Sequence, residues 1–324
     1  MGRESLYLAA KTLLAQVQGC LPPSIPLIQA TLLLAVYEYA NGRPEVAFVT
    51  VAACARMAYG ARIHDRRHLL HKASRLEVEE AANTWWGIVL CERAFLSEVD
   101  DLEQPMATTL PPGDSQLPVG REVLDRGEII NSGSIPNNPV SCVATAGIGG
   151  FGRAAQACCL LDQVLRGLVI SDVNTKLPLL ESLDRTIQSF LSLLLTRTEH
   201  KVLPYCTALA VTVRMLFTLH THILNIPHQV THANLRTLDE WKKGSLAALD
   251  TATTMAIDMA HCHRADLPAD GTNNTSPIHI YVVSAAIRHM RTRLRTGNRD
   301  TLWPESAEDE LGSYLRRLQN QWVA

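Results

Sequence analysis

Residues 74–96 read SRLEVEEAANTWWGIVLCERAFL, and the fold class of the whole chain can be worked out from them. Ser74 and Glu77 stand at the capping-box spacing, in which each side chain takes up a free backbone amide of a helix's first turn. Val78, Ala82, Trp85, Val89 and Leu96 recur at three-, four- and seven-residue steps, the period of one helix face. Arg93 falls on the same stripe, so its guanidinium must meet a carboxylate or a backbone carbonyl, or snorkel to the surface. Two adjacent indoles, Trp85 and Trp86, beside a partnered arginine describe the centre of an all-helical core and not a catalytic site.

Outward from this helix the pattern stays helical. Residues 4–18 read as a helix ending before Pro22-Pro23, and 26–40 as an apolar helix closed by Asn41-Gly42. Pro44 suits the first turn of the next helix, which runs to Tyr59-Gly60, where glycine favours a stop. Further helices are expected at 152–170, 177–197, 203–224, 234–263, 277–296 and 306–322, with turns at Leu177-Pro178, Leu203-Pro204, Asn225–Pro227 and 266–277. Residues 101–150 are rich in Pro, Gly, Ser and Asn and lack a period, which marks a long irregular loop. The expectation is one all-α domain over 1–324, a multi-helix bundle with 127–150 as its hinge.

Composition narrows the class further. At 324 residues, 47% hydrophobic and 19% charged, the chain can bury a large core. Its formal charge of −2 argues against direct DNA binding, which usually needs a strongly basic face. Apolar runs are broken by charge, proline or threonine before about 18 residues, so no transmembrane helix is expected. The opening MGRESLYLAAKTLLAQVQG is amphipathic and carries acid, unlike a secretory signal, and an intracellular location is expected. The 8 cysteines (Cys20, Cys54, Cys91, Cys142, Cys158, Cys159, Cys206 and Cys262) contain no C-x2-C pair. They read as buried thiols acting as small hydrophobes in a reducing compartment.

The order and spacing of several motifs resemble the regulatory middle homology domain of fungal Zn2Cys6 transcription factors. These are Ile28-Gln29-Ala30 with Leu32-Leu33-Leu34 and Tyr37-Glu38, then Ala55-Arg56-Met57-Ala58 with His64. The run Glu77–Glu80 into Trp85-Trp86, the pair Glu92-Arg93, and Leu110-Pro111 follow in the family's order. The similarity is strongest over 25–112 and looser through 151–165 and 205–224. The chain departs from the family at Ser97-Glu98-Val99, where the family often has Gly-Arg-Pro. The family's zinc-cluster DNA reader is absent from this sequence.

Gly147-Ile148-Gly149-Gly150-Phe151-Gly152 matches G-x-G-x-x-G, with a strand candidate at 140–144 before it and Asp172 where a ribose-binding acid would stand. A doubly wound fold needs alternating strands and helices, and the surroundings read as helix, so a glycine turn feeding a helix is expected. His64, His68 and His71 share a helix face by spacing, but sit among arginines that oppose a metal ion. His220 with His222, and His261 with His263, are two apart and point away from each other on a helix. Asp100-Asp101 and Glu103 read as a solvated loop, and Arg288, Arg291, Arg293, Arg295 and Arg299 as an exposed basic face. Asn273-Asn274-Thr275 fits a glycosylation acceptor that matters only in the secretory pathway. No nucleophile elbow or catalytic cysteine frame is present. No catalytic, cofactor-binding or metal-ligating residue is therefore assigned.

The resemblance implies a transcription regulator of fungal type, acting in the nucleus on metabolic or secondary-metabolite genes. Lacking its own reader, it would reach DNA through a protein partner, either a DNA-binding transcription factor or a second copy, or through an N-terminal module not included here. A small-molecule effector seated between helices fits such a domain. The alternatives are a dinucleotide-dependent enzyme using Gly147–Gly152, or a ligand-binding protein on the same helical scaffold.

Overall fold

The structure is a computed structural model and describes residues 2–71, 73–120, 138–197, 205–227, 235–265, 275–295, 303–304 and 306–323. Among these are eleven helices and no strand, with one isolated antiparallel bridge between Gln116 and Pro139. The fold is all-α. Much of the expected hinge, together with Asn273-Asn274 and Arg299, lies outside the described residues. By its internal contacts the chain divides into two compact units, Met1–Cys159 and Leu160–Trp322, and the division falls inside a helix rather than in the loop.

The first unit holds α1 (Arg3–Cys20), α2 (Ile25–Ala40), α3 (Pro44–Gly60), the short α4 (Arg66–Leu70), α5 (Arg75–Leu96) and the first half of α6 (Gly150–Leu168). Helix α5 starts as its sequence requires, with Ser74 Oγ accepting from the Glu77 amide and the Glu77 carboxylate accepting from the Ser74 amide at 2.7 Å. It is the central helix, buried on almost every side from Thr84 to Ser97. Helices α2 and α3 form a hairpin against it. Gly87 permits the contact, because a Cβ there would lie 3.2 Å from a methyl of Leu32, and Tyr39 stacks on Phe95 at 4.5 Å between ring centres.

The two helix ends in this hairpin use the same backbone device. After α2, the Gly42 amide donates to Tyr39 O and the Arg43 amide to Glu38 O, with Gly42 at φ 72°. This is a Schellman close, with glycine at the left-handed position. After α3, the Arg62 amide donates to Tyr59 O and the Ile63 amide to Ala58 O. The left-handed residue there is Arg62, at φ 59°, two residues past Gly60, where α3 ends as the sequence suggested.

Buried charge then fixes the irregular segments. Arg93 and Glu92 are both fully buried, and the guanidinium donates to Glu92 Oε2 at 2.8 Å and to Thr108 O at 3.0 Å. Glu92 in turn accepts from the Ala107 amide at 2.6 Å and the Thr108 amide at 3.1 Å. On α6, buried Arg153 donates to Val143 O at 2.6 Å and Thr145 O at 2.8 Å, and Gln156 donates to Val140 O at 3.1 Å. A large part of what the sequence left as irregular loop is thus tied to two helices.

The second unit holds the remainder of α6 with α7 (Val173–Arg197), α8 (Cys206–Asn225), α9 (Leu235–Ala265), α10 (Ile278–Arg295) and α11 (Ala307–Val323). Helix α7 begins at Val173 and runs through Pro178, so the turn expected at Leu177-Pro178 is replaced by helix. The Asp172 carboxylate explains the earlier start, accepting from the Thr175 amide at 3.0 Å and the Asn174 amide at 3.3 Å as an N-cap. Helix α8 is the core of the unit, packing against α7, α9 and α10. Among the described residues it is long and apolar enough to cross a bilayer, with mean hydropathy 1.3, yet 67% of that stretch is buried within the fold.

Candidate effector cleft

The first unit carries a cleft of about 540 Å3 against the tryptophan helix. One wall is α5, which presents Trp85 and Trp86. The turn after α3 and the short α4 supply His64, Arg66 and Arg67, and the loop Pro111–Gln116 closes the other side. The left-handed Arg62 directs the chain to this position. It turns the chain after α3 so that the His64 ring meets Tyr59 edge-on at 4.7 Å and lies 5.8 Å from Trp85, while Tyr59 meets Trp85 edge-on at 5.2 Å. Three aromatic rings therefore form one continuous surface, with the imidazole exposed.

The loop wall is held by pairing with the segment that α6 anchors. The Leu117 amide donates to Asn138 O, the Val140 amide to Ser115 O, and the Ser141 amide to Gly113 O, at 2.9 to 3.0 Å. From the other end, the Glu92–Arg93 pair grips Ala107 and Thr108.

The charged side of the cleft is lopsided in what its groups have left to offer. Asp65 caps α4 by accepting from the His68 amide at 3.1 Å, and that hydrogen bond holds its carboxyl below the usual carboxylate range. Arg66 forms an ion pair with the fully buried Glu79. Its Nη1 is nonetheless without a hydrogen-bond partner among the described residues, and the Arg67 side chain beside it is exposed. Asp114 lies at the opposite rim. The arrangement can hold a flat apolar body on the indoles with an anionic group directed at the guanidinium pair.

The motifs singled out in the sequence fall as follows. Gly147, at φ 79°, and Gly150–Gly152 make the turn that opens α6, with turns rather than a strand before them. A Cβ at Gly152 would come 2.8 Å from Ile148 Cγ2 and 3.4 Å from Pro118 O, so this glycine admits its own loop to the helix. Asp172 caps α7. The three histidines do not share a helix face, because α4 spans only Arg66–Leu70: His64 precedes it and His71 follows it. Among the described residues no cluster of three metal-ligating side chains forms. His220 is buried with Nδ1 3.1 Å from Ser245 Oγ, and His222 is half-buried with burial and Lys176 lowering its basicity. His261 contacts Glu310 at 2.8 Å. Arg288, Arg291 and Arg295 are exposed as expected, Arg291 pairing with Glu308 at 2.8 Å and Arg293 with Asp250 at 3.1 Å. Asp101 accepts from the Glu103 amide at 3.0 Å in an exposed turn.

Sequence reasoning missed Arg66 and Arg67 as cleft residues, reading them only as charges opposed to a metal. The available signal was their place in the short segment that joins α3 to the tryptophan helix. Compared with known protein families, with curated proteins and with solved structures, the chain matches none.

Proposed function

We propose that the chain is the effector-sensing regulatory part of a fungal-type transcription regulator. It acts in the nucleus on metabolic or secondary-metabolite genes and reaches DNA through a partner. One observation carries this reading. Four of the residues that carry the resemblance, His64, Trp85, Trp86 and Pro111, meet in the lining of the cleft. A regulatory domain needs a ligand pocket on its rigid helical part, and cleft volumes of about 300–1,000 Å3 are usual for small ligands. The effector class this cleft favours is a small planar molecule bearing a carboxylate or similar anion.

The test has two arms. Calorimetry with naphthalene-2-carboxylate as probe should show binding that the neutral alcohol of the same ring lacks, and Trp85→Leu should abolish it. In fungal cells, chromatin immunoprecipitation of the tagged chain should recover promoters. Binding without promoter occupancy would point to the ligand-binding protein on this scaffold, and absence of both would sink the proposal.

A further inference from the structure

A second site lies in the other unit, independent of the cleft. Cys206 is the first residue of α8, and its Sγ sits 3.2 Å from Nε2 of His263 on α9. The other ring nitrogen, Nδ1, contacts the hydroxyl of Tyr314 on α11. The order thiol, imidazole, orienting oxygen is the arrangement by which a base activates a nucleophile. Beside it is a cavity of about 210 Å3 lined by Cys206, His263, Leu209, Val213, Met255 and Met259. Its volume is below the range of about 300–1,000 Å3 for drug-sized ligands, so its occupant is the size of a single ring.

We propose that Cys206 and His263 form a nucleophilic pair that covalently captures a small apolar α,β-unsaturated carbonyl compound seated in this cavity. The Nδ1–H donates to the Tyr314 oxygen, which leaves the Nε2 lone pair facing the thiol. Nε2 takes the thiol proton, and the sulfur attacks the β-carbon, forming the C–S bond. The π electrons of the C=C bond move toward the carbonyl to give an enolate, and its α-carbon takes the proton back from Nε2. The net change is addition of S–H across the double bond, with no leaving group and no oxidant.

The surroundings agree. Burial pushes the Tyr314 hydroxyl pKa up, which keeps its oxygen a neutral acceptor. His279, whose ring is 4.9 Å from that of His263, is pushed down to about 3 by burial and by the charge of His263, so it stays neutral beside the pair. Other thiols are placed differently. Burial pushes both Cys54 and Cys91 up to about 12, which keeps them as inert thiols. The cavity is mainly apolar, with Asp258 and Cys262 completing its wall, which favours an uncharged electrophile over an anionic disulfide.

The experiment uses the full chain and 2-cyclohexen-1-one, with adducts mapped by peptide mass spectrometry. Exposed Cys20 and Cys142 serve as internal references. General-base assistance predicts addition at Cys206 about a hundredfold faster than at either reference. His263→Gln should remove most of that advantage, and Tyr314→Phe, which keeps the packing, part of it. Both should leave the reference rates unchanged, and unchanged hydrogen exchange in α8 reports that the second unit keeps its fold. Met255→Phe, filling the cavity, should slow cyclohexenone at Cys206 while sparing acrylamide, a smaller and more polar acceptor. Equal rates at Cys206 and the references, an unchanged rate in His263→Gln, or loss of both reagents alike in Met255→Phe would each overturn the proposal.

Discussion

Removing either member of the Glu92–Arg93 pair tests how the cleft is built. Both side chains have no exposed surface. Breaking a buried ion pair from one side costs about 3–5 kcal/mol, because a charge is left without its counterpart. The two sides are unequal here. After Arg93→Met, the Glu92 carboxylate keeps the Ala107 amide at 2.6 Å and the Thr108 amide at 3.1 Å. That variant belongs at the low end, about 3 kcal/mol. After Glu92→Met the guanidinium loses its adjacent carboxylate, and both amides lose their acceptor in the same change. This belongs at the high end, about 5 kcal/mol. The double variant buries no charge from the pair, so its cost should fall short of the sum by about 2–3 kcal/mol. Because the chain has two units, one global melt would mix their transitions. Hydrogen exchange on peptides from α5 and from 105–112 reads the local opening free energy instead. The reasoning fails if the singles are additive in the double, or if Arg93→Met proves the more damaging.

Four further outcomes are expected. Arg67→Ala should weaken naphthalene-2-carboxylate about tenfold, or 1.4 kcal/mol, by calorimetry, and leave any binding of the neutral alcohol unchanged. Gly152→Ala should cost about 1–3 kcal/mol by overpacking against Ile148, read as faster exchange in α6, and NADH titration should show no fluorescence enhancement in either protein. Arg62→Gly should stabilise the first unit by up to about 1 kcal/mol, since the left-handed position suits glycine, and this can be followed by exchange at 58–63. His279 has a folded pKa of about 3, below its unfolded value of 6.5, so the folded state binds fewer protons. Its stability contribution is whole above 6.5 and is lost as pH falls toward 3, with a slope of at most about 1.4 kcal/mol per pH unit. Urea midpoints of the second unit should show that slope, and His279→Gln should flatten it.

The helices were legible because their apolar period and punctuation are local. The Ser74–Glu77 box, Asn41-Gly42 and Pro44 each act within one turn of chain and lie where the sequence put them. Errors arose where a local signal competed with another. Pro178 looked like a turn, but Asp172 six residues earlier supplies an N-cap, and the helix that starts there runs on through the proline. The cleft and the Cys206 pair were beyond reach for a different reason. Residues 64, 85 and 111 are brought together only by packing, as are 206, 263 and 314, and nothing in their spacing encodes the meeting. A cysteine inside an apolar helix reads as core until its partner is known.

Four buried polar groups of the first unit, Glu92, Arg93, Arg153 and Gln156, share one use, which bears on how the cleft would work. Helices satisfy their own backbone, so a loop packed against them must find donors and acceptors elsewhere. Glu92 and Arg93 provide them for 107–108, and Arg153 with Gln156 for 140–145. The segment 113–117 pairs with 138–141, so the loop wall is gripped from both sides before any ligand arrives. A wall held in this way does not have to be ordered on binding, which removes an entropic cost that a mobile loop would impose. The Arg66 guanidinium with its unmatched Nη1 and the exposed His64 ring are then the parts left to respond. Sensing in this unit should accordingly resemble occupancy of a preformed slot, and the signal should pass through the packing of α5 rather than through folding of the loop.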